Sequence, residues 1–140
     1  MKPLNYEYIE PNPSRQYTDI NIAFTQHPIT GDIAKKSGNE SIKQSLRNLV
    51  LLNKNEKPFH PEIGGGIYEM LFENMDEPGI IQKVKYDLIN VITQWEPRVD
   101  LTGIEVEPNY DSNSVTISIY YVILNTLEPN NVEIFLKLVR

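Results

Sequence analysis

The chain has 140 residues, 40% of them hydrophobic and 23% charged, with no cysteine and a net charge of −6. That length buries one core and falls short of two. The missing cysteine excludes disulfides, thiolate metal sites and Cys nucleophiles, and the acidic balance argues against a broad nucleic-acid footprint. No apolar run approaches the roughly 18 residues of a membrane span. The opening Met1-Lys2-Pro3-Leu4-Asn5-Tyr6-Glu7 lacks the apolar centre of a signal peptide, so the chain is expected to act or be assembled where it is made.

Residues 1–18 hold Pro3, Pro11 and Pro13 with little apolar periodicity. They read as an extended N-terminal arm, either disordered or laid on a partner. Residues 19–140 read as a single α+β domain. Ile20, Ile22 and Phe24 alternate with Asn21 and Ala23, as in a short strand or docked segment. His27-Pro28 and Thr30-Gly31-Asp32 form a turn signal. Ser37 and Glu40 make a capping-box pattern ahead of Ile42, Leu46, Leu49 and Val50, one apolar stripe at helical period. Asn53-Lys54-Asn55 should end that helix, and Gly64-Gly65-Gly66 closes the loop behind it. A short helix is expected from Ile67 to about Asn74. Asp76 is the expected N-cap of the longest helix, with Pro78 in its first turn. Its stripe is Ile81, Val84, Leu88, Val91 and Trp95, and Pro97 stops it.

The remainder is strand-like. Val99 and Leu101 alternate, the phase slips at Gly103, and Ile104 and Val106 resume, which predicts a bulge. Asn109 to Asn113 is turn chemistry, followed by alternating Val115, Ile117 and Ile119. Tyr120-Tyr121-Val122-Ile123-Leu124 is apolar in both phases, so cover on both faces is expected. Glu128-Pro129-Asn130-Asn131 reads as a turn, and Val132, Ile134, Leu136 and Leu138 form a last alternating strand. The expected fold is α+β: two to three helices packed on a C-terminal three-stranded antiparallel sheet.

Motifs for chemistry are sparse. His27 and His60 each precede proline in separate loops, without zinc-ligand spacing, and read as turn histidines. The triple glycine lacks the Lys-Ser/Thr of a phosphate loop and reads as a turn rather than an anion cradle. Glu69, Glu73, Asp76, Glu77 and Glu96 are the candidates for a glycosidase pair. Capping and helix-dipole effects account better for Asp76 and Glu77. Charge is uneven. Residues 35–58 carry six bases (Lys35, Lys36, Lys43, Arg47, Lys54, Lys57) against Glu40 and Glu56, and residues 96–140 seven acids against three bases. This is either solvated surface charge or a means of pairing neighbours head to tail. Glu96-Pro97-Arg98 sits at a rigid corner between helix and strand. Its charges are available for charge-assisted bonds to a partner, or for an internal salt bridge tying helix to sheet.

Several segments in this order carry a family resemblance: Phe24 with His27-Pro28 and Thr30-Gly31-Asp32; Ser41-Ile42-Lys43-Gln44-Ser45-Leu46-Arg47-Asn48; Lys57-Pro58-Phe59 with Pro61-Glu62-Ile63-Gly64; Leu71-Phe72-Glu73-Asn74-Met75; and Glu96-Pro97-Arg98. From about Ile20 onward the chain resembles the lysozyme-like baseplate wedge proteins of contractile-tailed phages. It is similar also to the corresponding subunits of type VI secretion and related contractile injection systems. The resemblance implies a structural role in the virion tail baseplate, assembled in the host cytoplasm, with no catalytic residue, metal or cofactor. Glu96, Pro97 and Arg98 would dock on a helical core bundle of other wedge proteins. Val132, Ile134, Leu136 and Leu138 would offer a template strand to the tail sheath protein, and tube-proximal baseplate proteins are further partners. No nucleic acid or membrane partner is implied. An exposed terminal strand fits that role, because an unpaired edge invites β-augmentation. Proline at Ile134 or Leu136 is then expected to leave baseplates without sheaths. The runner-up is a peptidoglycan-degrading, lysozyme-like glycosidase of the tail, and a third reading is a regulatory module on the same fold.

Overall fold

The computed structural model describes residues 16–68 and 78–137. In chain order these form β1 (Thr18–Ile20), β2 (Lys35–Ser37), α1 (Asn39–Leu51), α2 (Ile80–Trp95), β3 (Val99–Asn109), β4 (Ser114–Ile123) and β5 (Pro129–Lys137). The last three make an antiparallel sheet in the order β3-β4-β5, and β1 pairs antiparallel with β2. Both helices cover one face of the sheet, with α1 beside β5 and α2 beside β3. The architecture is the expected α+β one.

α1 forms where the period says it should. Ile42, Leu46, Leu49 and Val50 are all buried, facing α2 and the sheet. Its cap differs from the expected box. Ser37 is paired with Thr18 in β2, and Gly38, at φ 60, is the N-cap with no side-chain bond. Only glycine holds that left-handed backbone cheaply, so tertiary pairing takes Ser37 and the cap moves on by one residue.

The helix α2 begins at Ile80 behind Gly79 at φ 88, so Pro78 precedes the helix instead of sitting in its first turn. Its innermost row is Ile80, Val84, Leu88 and Ile92. The expected stripe is rotated slightly: Val84 and Leu88 are central, while Ile81, Val91 and Trp95 flank the row half-buried. Sequence period locates the stripe, and the angle at which the helix meets β3 selects its centre. The rest of the expected short helix after Ile67 and Tyr68, the Asp76 cap and Leu138 lie outside the described residues.

The sheet's inner face is Val106 from β3, Val115, Ile117, Ile119, Tyr121 and Ile123 from β4, and Val132, Ile134 and Leu136 from β5. The bulge lies where the phase slips, between Leu101 and Gly103. The first hairpin turn occupies residues 110–113, with Ser112 N–H donating to Asn109 Oδ1 at 3.2 Å. Two expectations fail here. Tyr120 and Val122 point to the outer face, which no described element covers. The second turn comes earlier than expected, at residues 124–126, and β5 already starts at Pro129. Ile123 N–H donates to Glu128 O at 3.2 Å, so the ladder closes before the Pro-Asn-Asn signal. Proline is tolerated at the first residue of an edge strand, where its missing N–H faces outward.

Candidate docking corner and strand edge

The Glu96-Pro97-Arg98 corner is a closed ion-pair cluster. Glu96 is the C-cap of α2 and only 2% exposed. Arg98 grips it through two parallel bonds, Nε to Oε1 at 2.5 Å and Nη2 to Oε2 at 2.7 Å. That is the planar fork geometry guanidinium makes with carboxylate. The third arm of Arg98, Nη1, donates to Asp19 Oδ2 at 2.9 Å. The guanidinium also lies over the Tyr17 ring, 5.5 Å from its centroid. Bonding to Glu96, helped by Asp19, holds the Arg98 proton more firmly than usual against the opposing effect of burial. The internal salt bridge is therefore made, and it joins three parts of the chain. Arg98 O accepts from Leu124 N–H at 3.1 Å, stitching the corner to the end of β4. The side chain of Arg98 keeps 19% exposure, and Pro97 is exposed.

Tyr17 and Asp19 are the members sequence reasoning missed. Asp19 stands 79 residues from Arg98, and nothing local marks either residue. Beyond them the chain forms an exposed apolar hairpin. Phe24 (70% exposed, φ 50) and Ile29 (88%) stand out, with Ile20, Ile22 and Ile33 beside them. A bulky residue at positive φ is uncommon, and Phe24 holds it with its side chain exposed among the other apolar residues of the hairpin. The hairpin is held internally by His27, whose N–H donates to Asp32 O at 2.7 Å and whose Nδ1 accepts from the N–H groups of Ile29 and Thr30 at 3.3 Å each.

The triple glycine works as a brace for α1. Gly65 and Gly66 N–H groups donate to Leu49 O (3.3 Å) and Leu52 O (3.5 Å), carbonyls at the helix end. Those donors are committed, which favours the turn reading over an anion cradle. His60 Nδ1 lies 3.1 Å from Glu62 Oε1, and its ring meets Trp95 edge-on at 5.9 Å, so it ties the loop to α2. Of the carboxylate candidates, Glu69, Glu73, Asp76 and Glu77 lie outside the described residues, and Glu96 is locked by Arg98.

The strand edge is read from hydrogen-bond phase. Ile123 N–H bonds to Glu128 O, facing β5, whereas Leu124 N–H bonds to Arg98 O, facing β3. Antiparallel pairs alternate between bonded and non-bonded. With Val122 opposite Pro129 and Ile117 opposite Ile134, the even-numbered residues of β5 bond β4. The odd-numbered ones, Asn131, Glu133, Phe135 and Lys137, turn N–H and C=O to the side on which no described strand lies. Val132, Ile134 and Leu136 thus aim side chains at the core and main-chain groups at β4. Proline at Ile134 or Leu136 would break the internal ladder, so it does not test the edge. The opposite border, β3, is interrupted by the Gly103 bulge and by Pro108, features that blunt an edge. Among the described residues, β5 is the border that runs without a bulge or proline after its first residue, Pro129.

The family model of baseplate wedge protein gp25 matches residues 36–128. The baseplate wedge protein gp25 of Enterobacteria phage T4 is 30% identical over 122 residues, covering 87% of this chain and 89% of its own. Among solved structures, a chain of the anti-feeding prophage baseplate superposes with TM-score 0.66 at 22% identity, covering 79% of this chain and 87% of that one. A Geobacter sulfurreducens protein described as a tail lysozyme gives TM-score 0.62 at 22% identity over 72% of this chain and 91% of its own. A chain of the type VI secretion baseplate complex gives 0.55 at 13% over 72% and 93%. The structural likenesses speak to the fold. The family match and the phage T4 relative decide the family: this chain belongs to the baseplate wedge protein gp25 family.

Proposed function

We propose that this chain is a structural wedge subunit of a contractile tail or related injection system. It docks through its corner on a helical bundle of other wedge proteins, and it seeds the first sheath ring at β5. The single observation that carries the reading is the uninterrupted β5 edge, whose outward main-chain groups have no partner among the described residues. A sheath arm adding there gains main-chain hydrogen bonds along the strand, and the side-chain alternation fixes its register. The docking half rests on the exposed Pro97 and the apolar hairpin that Asp19 couples to Arg98. In this reading the subunit assembles in the host bacterial cytoplasm and resides in the virion tail baseplate, next to sheath and tube-proximal proteins. It breaks no bond.

Phe135→Pro tests the edge, because it removes an outward donor and no bond to β4. Baseplates are expected to form without sheaths, and full-length sheaths on such baseplates would refute the template role. Pro97→Glu tests docking while sparing the Glu96–Arg98 pair. The variant is expected to fold and to be left out of baseplates; normal incorporation counts against the corner. Purified protein is expected to leave peptidoglycan zymograms dark, and clearing that one carboxylate change abolishes would restore the lysozyme reading.

A further inference from the structure

The register sets up rows of side chains across the outer face of the sheet. Glu105 of β3, Ser118 of β4 and Glu133 of β5 form one row. Glu107, Thr116 and Phe135 form the next, and Gly103, Tyr120 and Asn131 the one before. The three carboxylates act on one point: Tyr120 Oη donates to Glu105 Oε2 at 3.0 Å, and the phenol's pKa is raised first by that bond, then further by Glu107 and Glu133. Phe135 stands 63% exposed in the same field. A fourth strand on β5 would continue each row, placing one of its residues directly beside Glu133.

We infer that the strand accepted by β5 carries Lys or Arg opposite Glu133 on its outer face, an uncharged residue opposite Lys137, which shares that face, and apolar residues in the other phase, opposite Val132, Ile134 and Leu136. This rests on the strand-pairing reading above and adds the chemistry of the partner. Opposite charges directly across a strand pair are favourable and like charges unfavourable. A strand with an acid at that position would set a carboxylate against Glu133 with Glu105 and Glu107 behind it. The outward main-chain groups, unpaired among the described residues, supply affinity for any strand, and the acidic row selects among strands.

The probes are two acetylated, amidated nine-residue peptides, Thr-Val-Thr-Val-X-Val-Thr-Val-Thr, with X, the residue that meets Glu133 at the centre of β5, Lys in one (the Lys peptide) and Glu in the other. Each is titrated into the full chain while amide NMR shifts are followed. The Lys peptide is expected to shift the Glu133, Phe135 and Lys137 amides and to bind roughly tenfold more tightly than its Glu twin. Glu133→Lys should abolish that preference, and Glu40→Lys, on α1, should leave it intact. Equal binding of the two peptides, a preference that survives Glu133→Lys, or no binding of either overturns the inference. The Phe135→Pro tails separate this from the underlying reading. Sheathless tails with no peptide preference sink the partner chemistry alone, whereas normal sheaths with a clear preference sink the sheath assignment and leave the edge chemistry standing.

Discussion

At the scale of single residues, the Glu96–Arg98 pair decides how the corner behaves. Glu96 is buried, and Arg98 is the side chain that neutralises it. Removing one partner of a buried pair leaves a charge without compensation. Arg98→Ala is therefore expected to lose about 3 kcal/mol of unfolding free energy in urea titration. Adding Glu96→Gln to that variant should recover part of the loss, and an unchanged deficit would mean the pair is not coupled. Any assembly defect of Arg98→Ala must be judged beside its stability. Tyr121 is the second residue with a testable charge. Its ring is fully buried and its hydroxyl donates to Asn39 Oδ1 at 2.7 Å. Burial, with Glu40 and Glu96 adding, raises its pKa from the ordinary 10.0 to about 12. The unfolded chain then loses this proton first. The contribution is complete below pH 10 and falls away as pH rises towards 12. Tyr121→Phe should flatten the decline of stability between pH 10 and 12, measured against wild type. It should also lose about 1 kcal/mol at neutral pH with the hydrogen bond.

At the scale of elements, the loop after α1 is more constrained than its composition suggests. A Cβ on Gly64 would stand 2.6 Å from Leu52 O and 2.8 Å from Asn53 O, both main chain, at φ +126. Gly64→Ala is expected to cost about 3 kcal/mol or more, since neither carbonyl can move without disturbing the end of α1. Gly79→Ala, in open space at φ +88, carries only the backbone cost of about 1 kcal/mol. Thermal unfolding of the two variants should separate steric from conformational cost, and equal shifts would contradict the close approach at Gly64. Legibility in the sequence divides along similar lines. The α1 stripe, the Gly103 bulge and the Asn109 turn were readable because each depends on residues close in the chain. Strand β2 was not, because Lys35-Lys36-Ser37 shows no apolar alternation. It is a strand only because β1 lies beside it.

At the scale of the whole molecule, two layers with different surfaces meet at one core. The described residues from Val99 to Lys137 carry six acids (Asp100, Glu105, Glu107, Asp111, Glu128, Glu133) and one base, Lys137. The basic run of residues 35–58 lies instead in β2, α1 and the loop beyond it. The charge asymmetry of the sequence thus becomes an asymmetry between layers, which suits a subunit that meets different neighbours on different sides. Leu88, fully buried where α2 meets the sheet, belongs to both layers. Leu88→Ala should cost about 2–5 kcal/mol. Helix and sheet should still unfold together in one transition by far- and near-ultraviolet signals; separate transitions would mean the layers do not share a core.

The sequence by itself determined the class of fold, both helices, the strand alternation and the family, because periodicity, turn chemistry and ordered motifs are written along the chain. Only the tertiary structure decided which partner Arg98 takes, where α1 is capped, which face of Tyr120 stays open, and which half of β5 turns its main chain outward. Each of those depends on residues brought together from distant positions. Asp19 reaches Arg98, Thr18 takes Ser37, and the pairing of Ile123 with Glu128 fixes the hydrogen-bond phase of a whole strand.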